Sequence, residues 1–212
     1  MTRTILPALT RLSYKGVTEY LGVLVAQIDT PLLEEIEITF FNQLISDIFR
    51  LPEFVCHTEK FTRLDRAEIL LEANSIHVTL PLQTRTFDPT WLKLEIPCRT
   101  LNWQLSSLAQ VCTSCLTTLS ALEHLDIREA RRPPQDWQDN INNTRWLELL
   151  RPFTIVKNLY LSKDVARCVV PALKELAGEQ VTELLPTLQN LFLNGLQLSG
   201  PVEEAVGRFV AA

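Results

Sequence analysis

Four acids, Glu37, Glu68, Glu95 and Asp126, occupy the same place in a short pattern that returns along the chain. Each stands between two hydrophobic residues: Ile36-Glu37-Ile38, Ala67-Glu68-Ile69, Leu94-Glu95-Ile96 and Leu125-Asp126-Ile127. Ser13 holds that place in the first copy, and Tyr160 and Phe192 hold it in the last two. If the copies are neighbouring strands about 4.8 Å apart, these side chains form one line on one face of a sheet. Carboxylates about 5 Å apart would suit a retaining glycosidase, in which one pKa is raised by the other's charge. That chemistry needs a deep cleft with sugar-stacking aromatics, and a strand surface is too shallow for it, so the chain does not read as an enzyme. The second reading is an acidic stripe with an aromatic end, flanked by Arg128, that accepts a basic, partly apolar segment of a partner protein. Beside it stands a plainer one: a solvated sheet face whose acids are balanced by Arg66, Lys93 and Arg128. The candidate partner-binding residues are therefore Glu37, Glu68, Glu95, Asp126, Arg128, Tyr160 and Phe192, and no catalytic, metal-binding or cofactor-binding residue is expected.

Other reactive residues point elsewhere. Cys112-Thr113-Ser114-Cys115 is a lone C-x-x-C. A zinc site needs a second pair, and both thiols fit the apolar face of a helix, so they read as core. Cys56-His57 has no third residue to orient it, and adjacent side chains rarely face each other. His57, His77 and His124 fall in different units, and the glycines form no phosphate-binding loop. A net charge of −5 argues against general nucleic-acid affinity. Five cysteines without regular spacing, and a start at Met1 to Tyr14 broken by Pro7, suggest a reduced cytoplasmic or nuclear protein rather than a secreted one. No run is long and apolar enough to span a membrane.

The elements that would position these residues follow from the same pattern. Hydrophobic–x–x–hydrophobic–x–hydrophobic occurs at Leu9-Leu12-Tyr14, Leu33-Ile36-Ile38, Leu122-Leu125-Ile127, Val156-Leu159-Leu161 and Leu188-Leu191-Leu193. Weaker copies lie at Leu64-Ala67-Ile69 and Trp91-Leu94-Ile96. The spacing runs from 24 residues (Leu9 to Leu33) to 34 (Leu122 to Val156), the period of a leucine-rich-repeat-like solenoid. That architecture is an α/β stack with a curved parallel sheet on its concave face and helices on its convex face. Leu12, Ile36, Leu125, Leu159 and Leu191 should be buried.

Between the strands, Val17, Tyr20, Leu21, Leu24, Val25 and Ile28 keep helical spacing, and Pro31 ends that helix. Leu44 to Leu51 suggests a short helix stopped by Pro52. Ala67 to Leu71 and Ile76 to Leu80 alternate around Asn74-Ser75, which predicts an extra strand pair. Further helices are expected over 102–119, 144–150, 165–177 (Asp164 as N-cap, Gly178 as stop, a kink or a split in two at Pro171) and 202–210, with a long loop over 131–143. The whole chain, 1–212, reads as one domain of about seven irregular repeats. Both ends read as interrupted, as in a piece of a longer protein.

Four segments then carry a resemblance: residues 106–112 (SSLAQVC), 122–129 (LEHLDIRE), 146–153 (WLELLRPF) and 156–162 (VKNLYLS). They resemble the leucine-rich region of F-box proteins from mushroom-forming (basidiomycete) fungi, over essentially the whole chain and most closely from Trp103 onward. The resemblance implies the substrate-recognition part of a ubiquitin ligase subunit, in which the repeats hold a protein substrate. It also implies an F-box that docks on the cullin-ligase adaptor. No F-box is present here: Leu51-Pro52-Glu53-Phe54-Val55 imitates the start of one, but polar residues and a strand follow. The runner-up is a vestigial or purely structural repeat scaffold.

Overall fold

A computed structural model describes residues 3–41, 50–57, 61, 64–81, 91–98, 100–115, 122–130, 143–175 and 184–194. The elements, in chain order, are β1 (Thr4–Ile5), β2 (Arg11–Gly16), α1 (Thr18–Gln27), β3 (Ile28–Asp29), β4 (Glu35–Phe40), α2 (Arg50–His57), β5 (Arg66–Leu71), β6 (Ser75–Pro81), β7 (Trp91–Pro97), α3 (Leu101–Cys115), β8 (His124–Glu129), α4 (Asn143–Leu150), β9 (Asn158–Ser162), α5 (Lys163–Glu175) and β10 (Asn190–Asn194). The fold is mixed α/β. Among the described residues, eight strands form one open sheet in the order β2-β4-β7-β6-β5-β8-β9-β10, all parallel except β6; β1 and β3 form a separate short parallel pair.

Strand starts are built alike. A turn joins Leu6 to Leu9, Thr30 to Leu33, Phe153 to Val156 and Leu185 to Leu188, each closed by a backbone bond of 3.1–3.3 Å from the fourth residue to the first. Pro7, Pro31 and Pro186 sit second in three of these turns, where a fixed φ near −65° already suits the bend. Two successive N–H groups then share one carbonyl of the neighbouring strand: Glu34 and Glu35 on Thr10, Glu123 and His124 on Asp65, Lys157 and Asn158 on Glu123, Gln189 and Asn190 on Lys157. The strand register of the motif is set at these points.

The helices pack on one face. Ile36, Ile38, Ala67, Ile69, Leu125, Ile127, Leu159 and Leu161 belong to one core with Leu21, Leu51, Leu105, Trp146, Leu149, Val165 and Val169 from the helices. Of the five motif residues expected inside, Ile36, Leu125 and Leu159 are fully buried. Leu12 and Leu191 are only half-buried, because β2 and β10 end the sheet and each has one described neighbour. Buried Gln104 ties the start of α3 to the strands below. Its amide donates to the carbonyls of Glu72 (2.8 Å) and Cys98 (2.9 Å).

Several expectations need correction. The motif copies do not stack in chain order: β4 lies against β7, not β5, and β8 lies against β5, not β7. The expected hairpin explains how this is possible, since β5-β6-β7 form an antiparallel meander whose two outer strands both run parallel to the rest. Serial order in the motif's register would set Glu37 against Glu68 and Glu95 against Asp126, two like-charge pairs that cost stability. The observed order sets Glu37 against Lys93 and keeps one acid pair, Glu68 against Asp126, with Arg66 bonded to both.

Helix details also differ. Tyr20 is 73% exposed rather than part of the buried face of α1. Pro52 falls inside α2 rather than stopping a helix before it. Pro171 lies within α5 without splitting it. The bond it forfeits would go to the Arg167 carbonyl, and both residues are exposed, so water can serve that carbonyl. The expected helix over 202–210, the stretch from Leu44 to Ile48 and the loop expected over 131–143, except Asn143, which opens α4, lie outside the described residues.

Candidate functional site

Alternation along each strand leaves a second face of the sheet that carries no helix among the described residues, and all the candidate side chains lie on it. Its central row reads Ser13, Glu37, Lys93, Thr79, Glu68, Asp126, Tyr160, Phe192 across the eight strands. Glu95 lies one row along, between Thr39 and His77, because β7 is displaced by two residues from the expected register. The residues of β7 that face the core are Leu92, Leu94 and Ile96, and Trp91 shares the open face with Glu35. Of the four acids, only Glu68 and Asp126 therefore stand side by side.

Each acid has a basic or hydroxyl partner. Arg11 reaches Glu35 and Glu37 at 3.4 Å, and Lys93 reaches Glu37 at 3.4 Å. Thr39 Oγ1 donates to Glu95 at 3.4 Å, and His77 lies 4.0 Å from the same carboxylate. Arg66 spans Glu68 (3.5 Å) and Asp126 (3.4 Å).

Asp126 departs most from expectation. It is 2% exposed, covered by Arg66 on one side and by Arg128 on the other. Arg128 Nε donates at 2.7 Å and its Nη2 also meets the carboxylate, a two-point fork. The hydrogen bond to Asp126 holds the Arg128 guanidinium above its ordinary pKa, against the cost of its partial burial. A carboxylate placed this way anchors two arginines and does not present a free negative charge. Arg128 itself remains 50% exposed on its side-chain surface.

At the β9–β10 end the polar lattice gives way to aromatics. Tyr160 and Phe192 stack at 4.4 Å between ring centroids with planes 8° apart. His124 stacks on the other side of Tyr160 at 6.4 Å, and the Arg66 guanidinium lies 5.7 Å from the Tyr160 centroid. Phe192 is 41% exposed. Asn190 donates to Asn158 at 2.8 Å in the adjoining row, which keeps the two strands in step. The structure thus brings Asp126, Arg128, Tyr160 and Phe192 together with Glu68, and leaves Glu95 across β6 on β7 and Glu37 beyond it on β4. Sequence reasoning treated Arg66 and Lys93, with Arg128, as charge balance, set His124 aside as a lone histidine, and missed Trp91 on this face. The signal for Trp91 was the strict alternation Leu92-Leu94-Ile96, which turns Trp91 outward.

The other reactive groups sit apart. Cys112 is buried in α3 as core, whereas the side chains of Cys56, His57 and Cys115 lie outside the described residues. Burial pushes the Cys168 thiol up to about 11, helped by Asp164 and Glu129, and burial also raises Cys98. No three His, Cys, Asp or Glu side chains converge on a metal position among the described residues, and no helix there is long and apolar enough to cross a membrane. Comparison with protein-family models, with curated proteins and with solved structures found no match.

Proposed function

We propose that this chain is a protein-interaction module of the leucine-rich-repeat kind, and that it holds a partner segment against the open face at the β8–β10 end. The observation that carries this is the coplanar Tyr160–Phe192 stack, left accessible beside a polar lattice whose acids are already paired. Two rigid aromatic surfaces, pre-ordered by stacking, lose little freedom when a partner covers them. Support for a repeat architecture comes from the turn that precedes β2, β4, β9 and β10 and the shared carbonyl that begins β4, β8, β9 and β10, so that three strands have both. Because the acids are paired internally, the affinity should come from the aromatics, with Arg66 and Arg128 setting orientation. The resemblance to fungal F-box proteins extends the reading: the module would be the substrate-recognition part of a ubiquitin ligase subunit, and contact with the cullin-ligase adaptor would need an F-box.

One observation favours the second reading, a structural scaffold: the open-face acids have partners of their own. A random dodecapeptide display library panned on the immobilised chain separates the two. A binder should enrich a defined motif, and Tyr160→Ala or Phe192→Ala should each weaken the selected peptide by about 1–2 kcal/mol or more, while Glu37→Gln changes it much less. Failure to enrich any motif, or selected peptides that bind both alanine variants normally, would favour the scaffold.

A further inference from the structure

The outer edge of β2 carries a second feature, independent of the aromatic stack. Among the described residues β2 pairs with β4 alone. The register decides which of its backbone groups are used. Glu35 N–H donates to the Thr10 carbonyl (3.0 Å) and Phe41 N–H to the Gly16 carbonyl (2.9 Å), at the two ends of the pair. In a parallel ladder this turns Leu12 and Tyr14 towards β4, and directs the N–H and C=O groups of Arg11, Ser13 and Lys15 outward. The side chains agree. Leu12 and Tyr14 are only half-buried, whereas their register partners Ile36 and Ile38, with a strand on each side, are fully buried. Arg11 and Lys15 stand exposed on the open face, and Lys15 has no ion pair among the described residues.

The strand already paired with β2 indicates what else would fit. β4 alternates acid and apolar residues at its start, and its Glu35 and Glu37 both reach Arg11. A second copy of β2 fits poorly, since antiparallel pairing centred on Ser13 would set Arg11 opposite Lys15. We propose that the outer edge of β2 is a docking edge for a partner protein's strand that alternates acidic and apolar residues and extends the sheet by backbone hydrogen bonds. The apolar residues would cover Leu12 and Tyr14, and the acids would face Arg11 and Lys15.

The test uses the full chain and two fluorescent peptides. One copies residues 33–40 (LEEIEITF) with an acetylated N-terminus; the other has its three glutamates replaced by lysine. Fluorescence anisotropy should show saturable binding of the acidic peptide and at least about tenfold weaker binding of the basic one. Ser13→Pro removes an outward N–H without touching the bonds to β4, and should abolish binding. Arg11→Glu should shift preference towards the basic peptide, a gain that damage to folding cannot mimic. Amide exchange at Arg11, Ser13 and Lys15 should be fast in the free chain and slowed by the acidic peptide. The proposal is overturned if the peptides bind equally or not at all. It is equally overturned if those amides are already protected in the free monomer, or become protected only through self-association.

Discussion

Leu159→Ala measures whether the motif's second hydrophobic position holds the sheet to its helices. Leu159 is fully buried in β9, paired in register with Leu125 and Leu191. The substitution removes three carbons, worth about 2.4 kcal/mol at roughly 0.8 kcal/mol each. A cavity closed in by β8, β10 and α5 cannot fully collapse, which raises the expected cost to about 3–5 kcal/mol. Leu12 holds the same motif position in end strand β2, where it is only half-buried. Leu12→Ala should therefore forfeit about half the transfer energy and leave no closed cavity, for a cost near 1 kcal/mol. In urea titrations followed by circular dichroism, with a slope of about 3 kcal/mol/M, the Leu159 variant should unfold roughly 1–2 M earlier and the Leu12 variant roughly 0.3 M earlier. Equal shifts, or a Leu159 cost below about 1 kcal/mol, would refute the burial argument.

Asp126→Asn leaves Arg66 and Arg128 facing each other without the acid between them, and should destabilise by about 1–3 kcal/mol in the same titration, moderated by the exposure of both arginines. Glu68→Gln, on the exposed side of Arg66, should change stability by about 0.5 kcal/mol or less. Cys168 keeps its proton in the folded chain up to about 11, whereas the unfolded thiol ionises near 9.0. Stability contributed by the neutral thiol is thus present below pH 9 and is lost as pH rises from there towards 11, and Cys168→Ser should flatten that loss in melts taken across this window. Iodoacetamide at pH 8 should label Cys168 in the native chain at least about a hundredfold more slowly than in the urea-unfolded chain. Gly16→Ala places a Cβ 2.6 Å from the Tyr14 hydroxyl, which donates to the Val17 carbonyl at 2.7 Å. The ring must move and that bond must break, at a cost of about 1–2 kcal/mol measurable by denaturation.

Local signals were legible in the chain. Alternation located the long strands, Asn74-Ser75 marked the turn of the extra strand pair, and the hydrophobic spacing around Leu105, Trp146 and Val165 located helices that the structure contains. The short β1–β3 pair was not foreseen, because two residues give no periodicity to read. Pro52 and Pro171 were taken as interruptions, yet both fall inside helices, and the hydrogen bond that Pro171 removes can be replaced by water.

The sequence by itself determined which face of each strand is apolar and which residue types populate the open face, since both follow from a period of two along the chain. Tertiary structure alone decided strand order and register. Displacing β7 by two residues leaves its inward and outward sets unchanged, so Leu92-Leu94-Ile96 fits the core in either alignment and the pattern cannot distinguish them. What distinguishes them is long-range: the meander that carries β7 back to β4, and the charges it sets across from Glu37. The burial of Asp126 belongs to the same level. It depends on Arg66, sixty residues away in the chain and on the next strand, and no local pattern couples two such positions.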